Sequence, residues 1–488
     1  MTSASDSIVV IRHDVECVTA EKHYTPCGTA GGKRVIAAGT TASLGHSPLP
    51  LDITVDEDVA VPMRDGVVVY ADIYRPAHAT ELIPAILQVG PFGKNGGPNK
   101  HNFNKWPWRF GCPKIATSGL EGFEALDPAY WCLHGYAIVC VDTRGTWKST
   151  GNVAGFSKKE GEDNYDVIEF LADLPWCNGK ISMAGNSYLA ITQWFTGAEQ
   201  PPHLACLAPW EGMSDLYSDA IRCGGLTLTG SKVDNFVDMC YQYPTWNSYW
   251  EQHRPALERI VCPLYVVASW TNALHTYGTF RAWQNSSSSE KWLRIHNSHE
   301  WPDLYNAASR EDLRKFYDCY LKGVNSDWKF TPSVRLSVLN AGGMDIVNRP
   351  ENTFPLTRQV EHKLYLNAET NELSNIPSCS TSSFSHSAVD GWTAVTITFP
   401  TRMELVGYSK LHIWAEAEGS NDMDIFVQLQ KVDRQSGKVL ETMVTDVGYL
   451  TQNPDAERQK LLTQHEANPD FGAAYFNDRP KGKLRASH

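Results

Sequence analysis

No pair among the twelve cysteines of this 488-residue chain stands at C-x-x-C spacing, and none falls into a metal-ligand pattern. Cationic runs are missing too. With 43 Lys and Arg against 55 Asp and Glu, the net charge of −12 argues against a nucleic-acid partner or an anionic membrane surface. No apolar run is long enough to span a bilayer. The opening stretch MTSASDSIVVIRHDVE lacks a basic segment followed by an apolar one, so no signal peptide is expected and the default compartment is the reducing cytoplasm. A phosphate-binding loop is also lacking, because GPFGKNGG at 90–97 has no Lys-Ser/Thr ending. Neither a cofactor nor a metal is therefore expected. What remains is ordinary: 42% hydrophobic and 20% charged residues, in a length that suits two or three domains with full cores.

The most informative stretch is KISMAGNSYLAITQW, Lys180 to Trp194. Ile181, Met183 and Ala184 suit a short buried strand, and Tyr188, Leu189, Ile191 and Trp194 recur at helical spacing. Gly185-Asn186-Ser187 lies between them, with a small residue two before the serine. A nucleophile elbow requires that pattern, since its sharp strand-to-helix turn has no room for a larger side chain. A serine there stands at a helix N-terminus, where backbone N–H groups can hold an oxyanion. A helix N-cap serine is the plain alternative.

Along the chain, residues 1–50 read as an N-terminal arm with no clear period. A turn at Met63 to Gly66 follows, then strands at 67–74, 83–90 and 135–142, and an amphipathic helix at 161–174. After the elbow come strands at 204–209, 263–269 and 292–296 and helices at 277–284 and 307–321. Strands alternating with helices predict a mostly parallel sheet covered on both faces, over residues 51–328. From Ser333 the pattern changes to short β segments (VRLSVLN, HKLYLN, TAVTITF, KLHIWAEA, DIFVQLQKV, KVLETMVTDVGYL), which predict a jelly-roll-like β-sandwich over 329–488.

Four stretches together resemble the cocaine esterase and X-Pro dipeptidyl-peptidase family of serine hydrolases: VPMRDGVVVYADIYRP at 61–76, GYAIVCVDTRGTWKSTG at 135–151, DLPWCNGKISMAGNSYLAITQW at 173–194 and PPHLACLAPWEGMSDLY at 201–217. The resemblance implies an α/β-hydrolase domain with a short helical cap, here about 213–260, joined to a C-terminal jelly roll. It implies Ser187 as nucleophile and the Tyr188 backbone N–H as one oxyanion donor, with Ala190 where the family has a glycine. The family histidine follows the last major strand, where His299 falls in RIHNSHEW, with His296 as a rival. Family members continue past the final KGKLRASH, so the resemblance implies a jelly roll lacking its last strands, its exposed edge either covered by a partner subunit of a homo-oligomer, which is the expectation, or remodelled.

Two departures weigh more than the matches. The family's acid position is occupied by Asn272 in SWTN, and the oxyanion tyrosine position by Phe92 in GPF. Exchanging a triad aspartate for asparagine costs roughly 10⁴-fold in turnover, and losing one oxyanion donor about 10²–10³-fold. Glu211, in APWEG, is a candidate replacement acid. Asp215, Glu300 and Asp303 read more simply as surface charges or caps, and Asp142 with Arg144 as an internal ion pair. Trp210 and Trp270, at strand ends, suit an aromatic-lined pocket. The first functional expectation is a hydrolase acting on an ester or amide of a hydrophobic small molecule through an acyl-enzyme at Ser187. The second is a lyase, cyclase or acyltransferase on the same fold, for instance one tailoring a natural product, in which Ser187, a histidine and Asn272 only donate, accept or shuttle protons. An intact elbow argues against a decayed scaffold.

Overall fold

Eleven strands join one mixed sheet: β1 (Lys33–Ile36), β2 (Ile53–Pro62), β3 (Val68–Pro76), β4 (Ile83–Gly90), β5 (Ala137–Asp142), β6 (Cys177–Asn186), β7 (Leu204–Trp210), β8 (Leu264–Ser269), β9 (Lys291–His296), β10 (Val334–Val338) and β11 (Ile346–Glu351). The computed structural model describes residues 8–13, 31–94, 96, 112, 114–220, 233–272, 274–324, 327–443, 454–467, 476–477 and 481–485. Across the sheet the order is β11-β10-β9-β8-β7-β6-β4-β5-β3-β2-β1. From β10 to β5 the described ladders are parallel, whereas β1–β2, β2–β3 and β3–β5 are antiparallel. This is an α/β-hydrolase sheet. Every residue of β5 and of β8 is buried, as continuous apolar strands covered on both faces must be.

After β4 the chain goes to β5 on one side and then to β6 on the other, so a crevice opens beyond the carboxyl ends of β4 and β6. Helices α1 (Pro128–Leu133), α2 (Lys158–Ala172) and α3 (Tyr188–Glu199) come before β5, before β6 and after β6, respectively. Helix α2 begins on Ser157, whose side chain accepts the Glu160 N–H. Gly161 lets α2 approach α3, since a Cβ there would sit 2.7 Å from Phe195 O. Between β7 and β8 lie a π-type turn at Leu216–Ala220 and two short helices, α4 (Phe236–Gln242) and α5 (Ser248–Gln252). The motif GLTLTG at 225–230 of this cap falls outside the described residues. Helices α6 (Thr276–Asn285), α7 (Glu300–Tyr305) and α8 (Ala307–Tyr320) complete the domain. Trp131, Tyr136, Tyr265, Phe316, Tyr317 and Trp328 are the large side chains of one apolar core among the described residues.

The N-terminal arm contributes two strands among the described residues. β1 is an edge strand of the large sheet, and Arg12–His13 pairs antiparallel with Val233–Asp234.

The chain divides into two compact units, one of residues 1–350 with 422–488 and one of 351–421. The smaller unit holds the hairpin of β12 (Tyr365–Asn367) and β13 (Glu372–Ser374). In the larger unit, β14 (Asp424–Gln428) pairs with β17 (Lys481–Arg485) and β15 (Thr442–Met443) with β16 (Phe476–Asn477), while α9 spans Pro454–Ala467. The C-terminal region is mostly β: VRLSVLN, expected in the jelly roll, joins the large sheet as β10, and beyond β11 the strands pair in two-stranded ladders among the described residues. TAVTITF supplies only a bridge at Thr396, and KLHIWAEA has no ladder. An alternating pattern becomes a strand only where a partner takes its backbone N–H and C=O groups. No described helix is long and apolar enough to cross a membrane.

Candidate active site

Strand β6 ends at Asn186, α3 begins at Tyr188, and the residue between them turns the chain. Ser187 sits at φ 55°, ψ −119°, a conformation that side chains adopt only under constraint. Two glutamates supply the constraint. The Asn186 N–H donates to Glu124 O at 3.1 Å and the Ser187 N–H to Glu211 O at 3.2 Å. Both are themselves left-handed, at φ 62° and 55°. At Gly185 a Cβ would meet Leu189 Cβ at 2.6 Å, so the small residue two before the serine is a steric necessity. Ala190 is accommodated by a complementary glycine, since a Cβ on Gly212 would lie 2.8 Å from the Ala190 methyl. The Tyr188 N–H belongs to the first turn of α3, where backbone donors have no intrahelical acceptor.

The ring that meets Ser187 Oγ is His275, with Nε2 at 3.0 Å. It caps the start of α6, after a turn in which Asn272 Oδ1 accepts the N–H groups of Leu274 and His275 at 3.0 and 3.1 Å. On its other side, the Met213 N–H points at His275 Nδ1 from 3.3 Å. An amide N–H has only a proton to offer, so Nδ1 is the acceptor and the neutral ring carries its proton on Nε2, facing the serine. A serine-protease histidine has the opposite tautomer, fixed by a carboxylate on Nδ1. Burial pulls the His275 imidazole down to about 4, with only the field of Glu211 opposing.

Glu124 borders the same serine. Its Oε1 accepts the Trp301 N–H at 3.1 Å, and its Oε2 is buried without a hydrogen-bond partner among the described residues. Burial pushes this carboxyl up to about 8, against the Trp301 N–H and the Ser187 hydroxyl, which favour its charged form.

The other residues singled out from sequence take separate places. Glu211 is buried, meets His296 Nε2 at 2.6 Å through Oε1, and accepts the Ser269 hydroxyl at 3.0 Å through Oε2. Its carboxylate therefore serves His296, while its carbonyl holds the serine. His299 precedes α7 with its ring 4.6 Å from that of Trp301 and its Nδ1 buried and unbonded. Burial pulls it down to about 4. Asn272 Nδ2 donates to Glu300 Oε2 at 2.8 Å, so this side chain links the His275 turn to α7 and bonds no imidazole. Burial raises Glu300 well above the carboxylate range, with the fields of Glu211 and Glu124 adding to it.

Phe92 packs edge-on against Phe123 and Tyr188 with centroids 5.0 and 5.9 Å away and brings no hydroxyl. The Tyr188 hydroxyl is turned away from the serine, donating to Glu160 Oε1 at 2.7 Å. Trp210 is a core residue, 5.8 Å from the Tyr265 ring and beneath Arg294. The Trp270 N–H is taken by Ser337 O. Among the carboxylates read as plain charges, Asp303 is buried and forms a bidentate pair with Arg294, and Asp215 lies 3.7 Å from Arg281. Asp142 and Arg144 pair with other residues: Asp142 lies 3.5 Å from Lys94, and Arg144 clamps Asp163.

Sequence reasoning missed His275 and Glu124. His275 lies in WTNALHTYG, whose only signal is the Asx-forming Asn272 three residues before it. Glu124, in EGFEALD, carries no motif, and its left-handed backbone has no sequence signature.

Comparison with known proteins now adds to the geometry. A family model of X-Pro dipeptidyl-peptidase (S15 family) matches residues 65–235, and one of the X-Pro dipeptidyl-peptidase C-terminal non-catalytic domain matches 326–487. Cocaine esterase of Rhodococcus sp. (strain MB1 Bresler) is 32% identical over 164 residues, which are 34% of this chain and 25% of that protein. The crystal structure of a CocE/NonD family hydrolase from Staphylococcus aureus aligns at a TM-score of 0.64 and 32% identity, covering 71% of this chain and 64% of that one. An aminopeptidase from a marine sediment archaeon (Thaumarchaeota archaeon) shares the fold, at a TM-score of 0.52 and 16% identity over 68% of this chain and 64% of that one. The chain thus spans about a quarter of the curated relative and less than two thirds of the solved hydrolase.

Proposed function

We propose, for a chain that belongs to the CocE/NonD-type X-Pro dipeptidyl-peptidase family, a serine hydrolase that opens an ester or amide of a hydrophobic small molecule through an acyl-enzyme at Ser187. The observation that carries this reading is the strained serine at φ 55°, with an imidazole nitrogen 3.0 Å from its hydroxyl. Strain of this kind, of order 1–3 kcal/mol, persists where the surroundings over-determine it, as two carbonyls and a glycine do here. Ser187 Oγ attacks the carbonyl carbon, the oxyanion forms against the Tyr188 N–H, and the alcohol or amine leaves. Water then releases the acid. His275 holds Oγ in place, and Asn272 positions His275. Glu211 fastens the elbow through its carbonyl and keeps His296 through its carboxylate.

A fluorophosphonate probe read by intact mass tests it. Stoichiometric labelling of the wild type, lost in Ser187→Ala, is expected. A folded wild type that takes no label overturns the reading.

One observation favours a second. His275 presents an N–H to the serine and takes an amide N–H on Nδ1, so the resting site is a donor array more than a triad. A lyase, cyclase or acyltransferase would use Ser187 and His275 in that way, and Ser187→Ala would then retain most of the native turnover.

A further inference from the structure

We infer that the N-terminal segment Ile8–His13 straps the cap in place, and that Arg12 and Asp234 are positioning residues for binding the hydrophobic part of the substrate. The inference rests on the serine-hydrolase reading and deepens it. Ile8, Val9, Val10 and Ile11 are β-branched, which suits an extended strand. The edge that receives them belongs to the cap: Arg12 pairs with Asp234 and His13 with Val233, antiparallel. The Asn235 N–H donates to Ile11 O at 2.9 Å, and Arg12 Nε to Asp234 Oδ1 at 2.8 Å. The Val9 N–H reaches the Tyr243 hydroxyl at 3.1 Å, and the Ile11 N–H reaches Met239 Sδ at 3.3 Å. The seven-residue α4 and the five-residue α5 are too short to persist alone. Their buried side chains, Met239, Tyr249 and Trp250, form one small cluster, and Ile8, Val10 and Ile11 pack against it. The cap therefore depends on the arm for part of its core.

Two lines of contact run from this strap to the elbow. The first is polar. Asp234 Oδ2 accepts the Tyr249 hydroxyl at 3.2 Å and lies 3.9 Å from His253 Nε2. His253 is buried, and its Nδ1 donates to Phe156 O at 2.7 Å, since a carbonyl can only accept. Phe156 in turn packs on Tyr188, the residue after the serine, with ring centroids 4.6 Å apart. The second line is apolar. Phe236, two residues after Asp234, stands edge-on to His253 at 5.3 Å. It packs against the cluster of Phe156, Tyr188, Met213 and Leu216, as Phe92 does. Phe92 and Phe236 are both only partly buried, so they are the aromatic faces this cluster offers beside the elbow. The strap holds the second of them in place. Tyr188 is also held from elsewhere, its hydroxyl on Glu160 Oε1 at 2.7 Å, and Ser187 Oγ meets His275. Loosening the strap should therefore weaken binding and leave the chemical step intact.

The test is inactivation of the full chain by a long-chain alkyl fluorophosphonate and by diisopropyl fluorophosphate, each resolved into an inhibitor constant and a limiting rate. Arg12→Ala should raise the constant for the long-chain probe about threefold, the size expected of an ion pair partly open to solvent. The limiting rate, and both values for the small probe, should stay within about twofold of the wild type. Asp234→Asn, which keeps an acceptor for the Tyr249 hydroxyl, should match Arg12→Ala, and the double variant should be no worse than either. Arg12→Lys, which keeps the cation, should bind nearly as the wild type does. Removing residues 1–13 should raise the long-chain constant about tenfold, because the apolar cover of Met239 and Trp250 leaves with them. An unchanged constant in Arg12→Ala and in the shortened chain, a loss that falls on the limiting rate, or an equal loss for both probes overturns the inference and leaves Ser187 as nucleophile. A wild type that takes neither label removes the hydrolase reading itself, and the inference with it. Where the shortened chain fails to fold, Arg12→Ala, Arg12→Lys and Asp234→Asn decide alone, since they alter only side chains partly open to solvent.

Discussion

Single atoms set the ionisation of Glu124, the residue whose backbone holds the elbow. One indole N–H and one hydroxyl favour the charged form of Glu124, and burial opposes them. Trp301→Phe keeps the ring contact with His299 and removes the donor at 3.1 Å from Oε1. A hydrogen bond to the charged form holds a carboxyl down, so its loss should move the half-point of this carboxyl's ionisation, followed by its infrared stretch, to higher pH by up to about one unit. An unchanged or lowered half-point would show that this indole does not govern the carboxyl. The same scale explains what was readable in the residues. Ser187 was legible because an elbow restricts side-chain size at a fixed spacing, and Gly185 obeys that restriction. His275 was not, because its distance to the serine is set by contacts 62 residues apart, between Met213 and the α6 start. Glu211 drew notice as a spare carboxylate, yet the feature that ties it to the serine is its backbone carbonyl, on which side-chain chemistry gives no information.

Helix α6 carries His275 to the serine, and the element is stitched to the segment after β7. The Ser214 hydroxyl donates to Gly278 O at 2.8 Å, the Thr279 hydroxyl to Gly212 O at 3.1 Å, and Arg281 reaches Ser214, Ser218 and Asp219. Gly278 makes the closest approach, since a Cβ there would stand 2.6 Å from Met213 Cα and 2.7 Å from Ser214 N. Gly278→Ala should therefore push α6 outward and slow Ser187 labelling by at least about tenfold, although residue 278 does not touch the serine. Equal labelling rates would mean that the helix adjusts without carrying His275 with it. Gly212→Ala should cost about 1–3 kcal/mol in denaturant unfolding through overpacking. Part of that loss should return in the Gly212→Ala, Ala190→Gly double variant, because one of the close contacts is the Ala190 methyl at 2.8 Å. The buried strands from β3 to β9 and the long helices were legible to within a few residues, because fully buried strands read as continuous apolar runs, whereas β1 and the ten-residue β2, whose pattern is mixed, were not read as strands. Helix α7 was not legible either, for six residues with Pro302 among them are too few to show a period.

Across the whole molecule, buried ionisable groups give the fold a pH dependence with two opposing arms. Glu124 and Glu160 are pushed from 4.5 up to about 8, and Asp142 from 3.8 up to about 7, in each case by burial first. Between those values the folded chain holds protons that the unfolded chain has lost, so each carboxyl contributes a stability that declines as pH rises through its window. His275 and His299, pulled from 6.5 down to about 4, work in the other sense: the unfolded chain gains the protons there, and stability falls as pH drops below 6.5. Below 6.5 the two arms offset each other. Above it the histidines are neutral in both states and only the carboxyl arm acts. The unfolding temperature should therefore fall steadily from about pH 6.5 to about pH 8.5, as followed by circular dichroism in buffers of equal ionic strength. Glu160→Gln should flatten that decline, because an amide in place of this carboxyl, which accepts the Tyr188 hydroxyl at 2.7 Å, has no proton to lose. A rising unfolding temperature over the same range, or a slope unaltered in Glu160→Gln, would mean that these carboxyls ionise in the folded chain as readily as in the unfolded one.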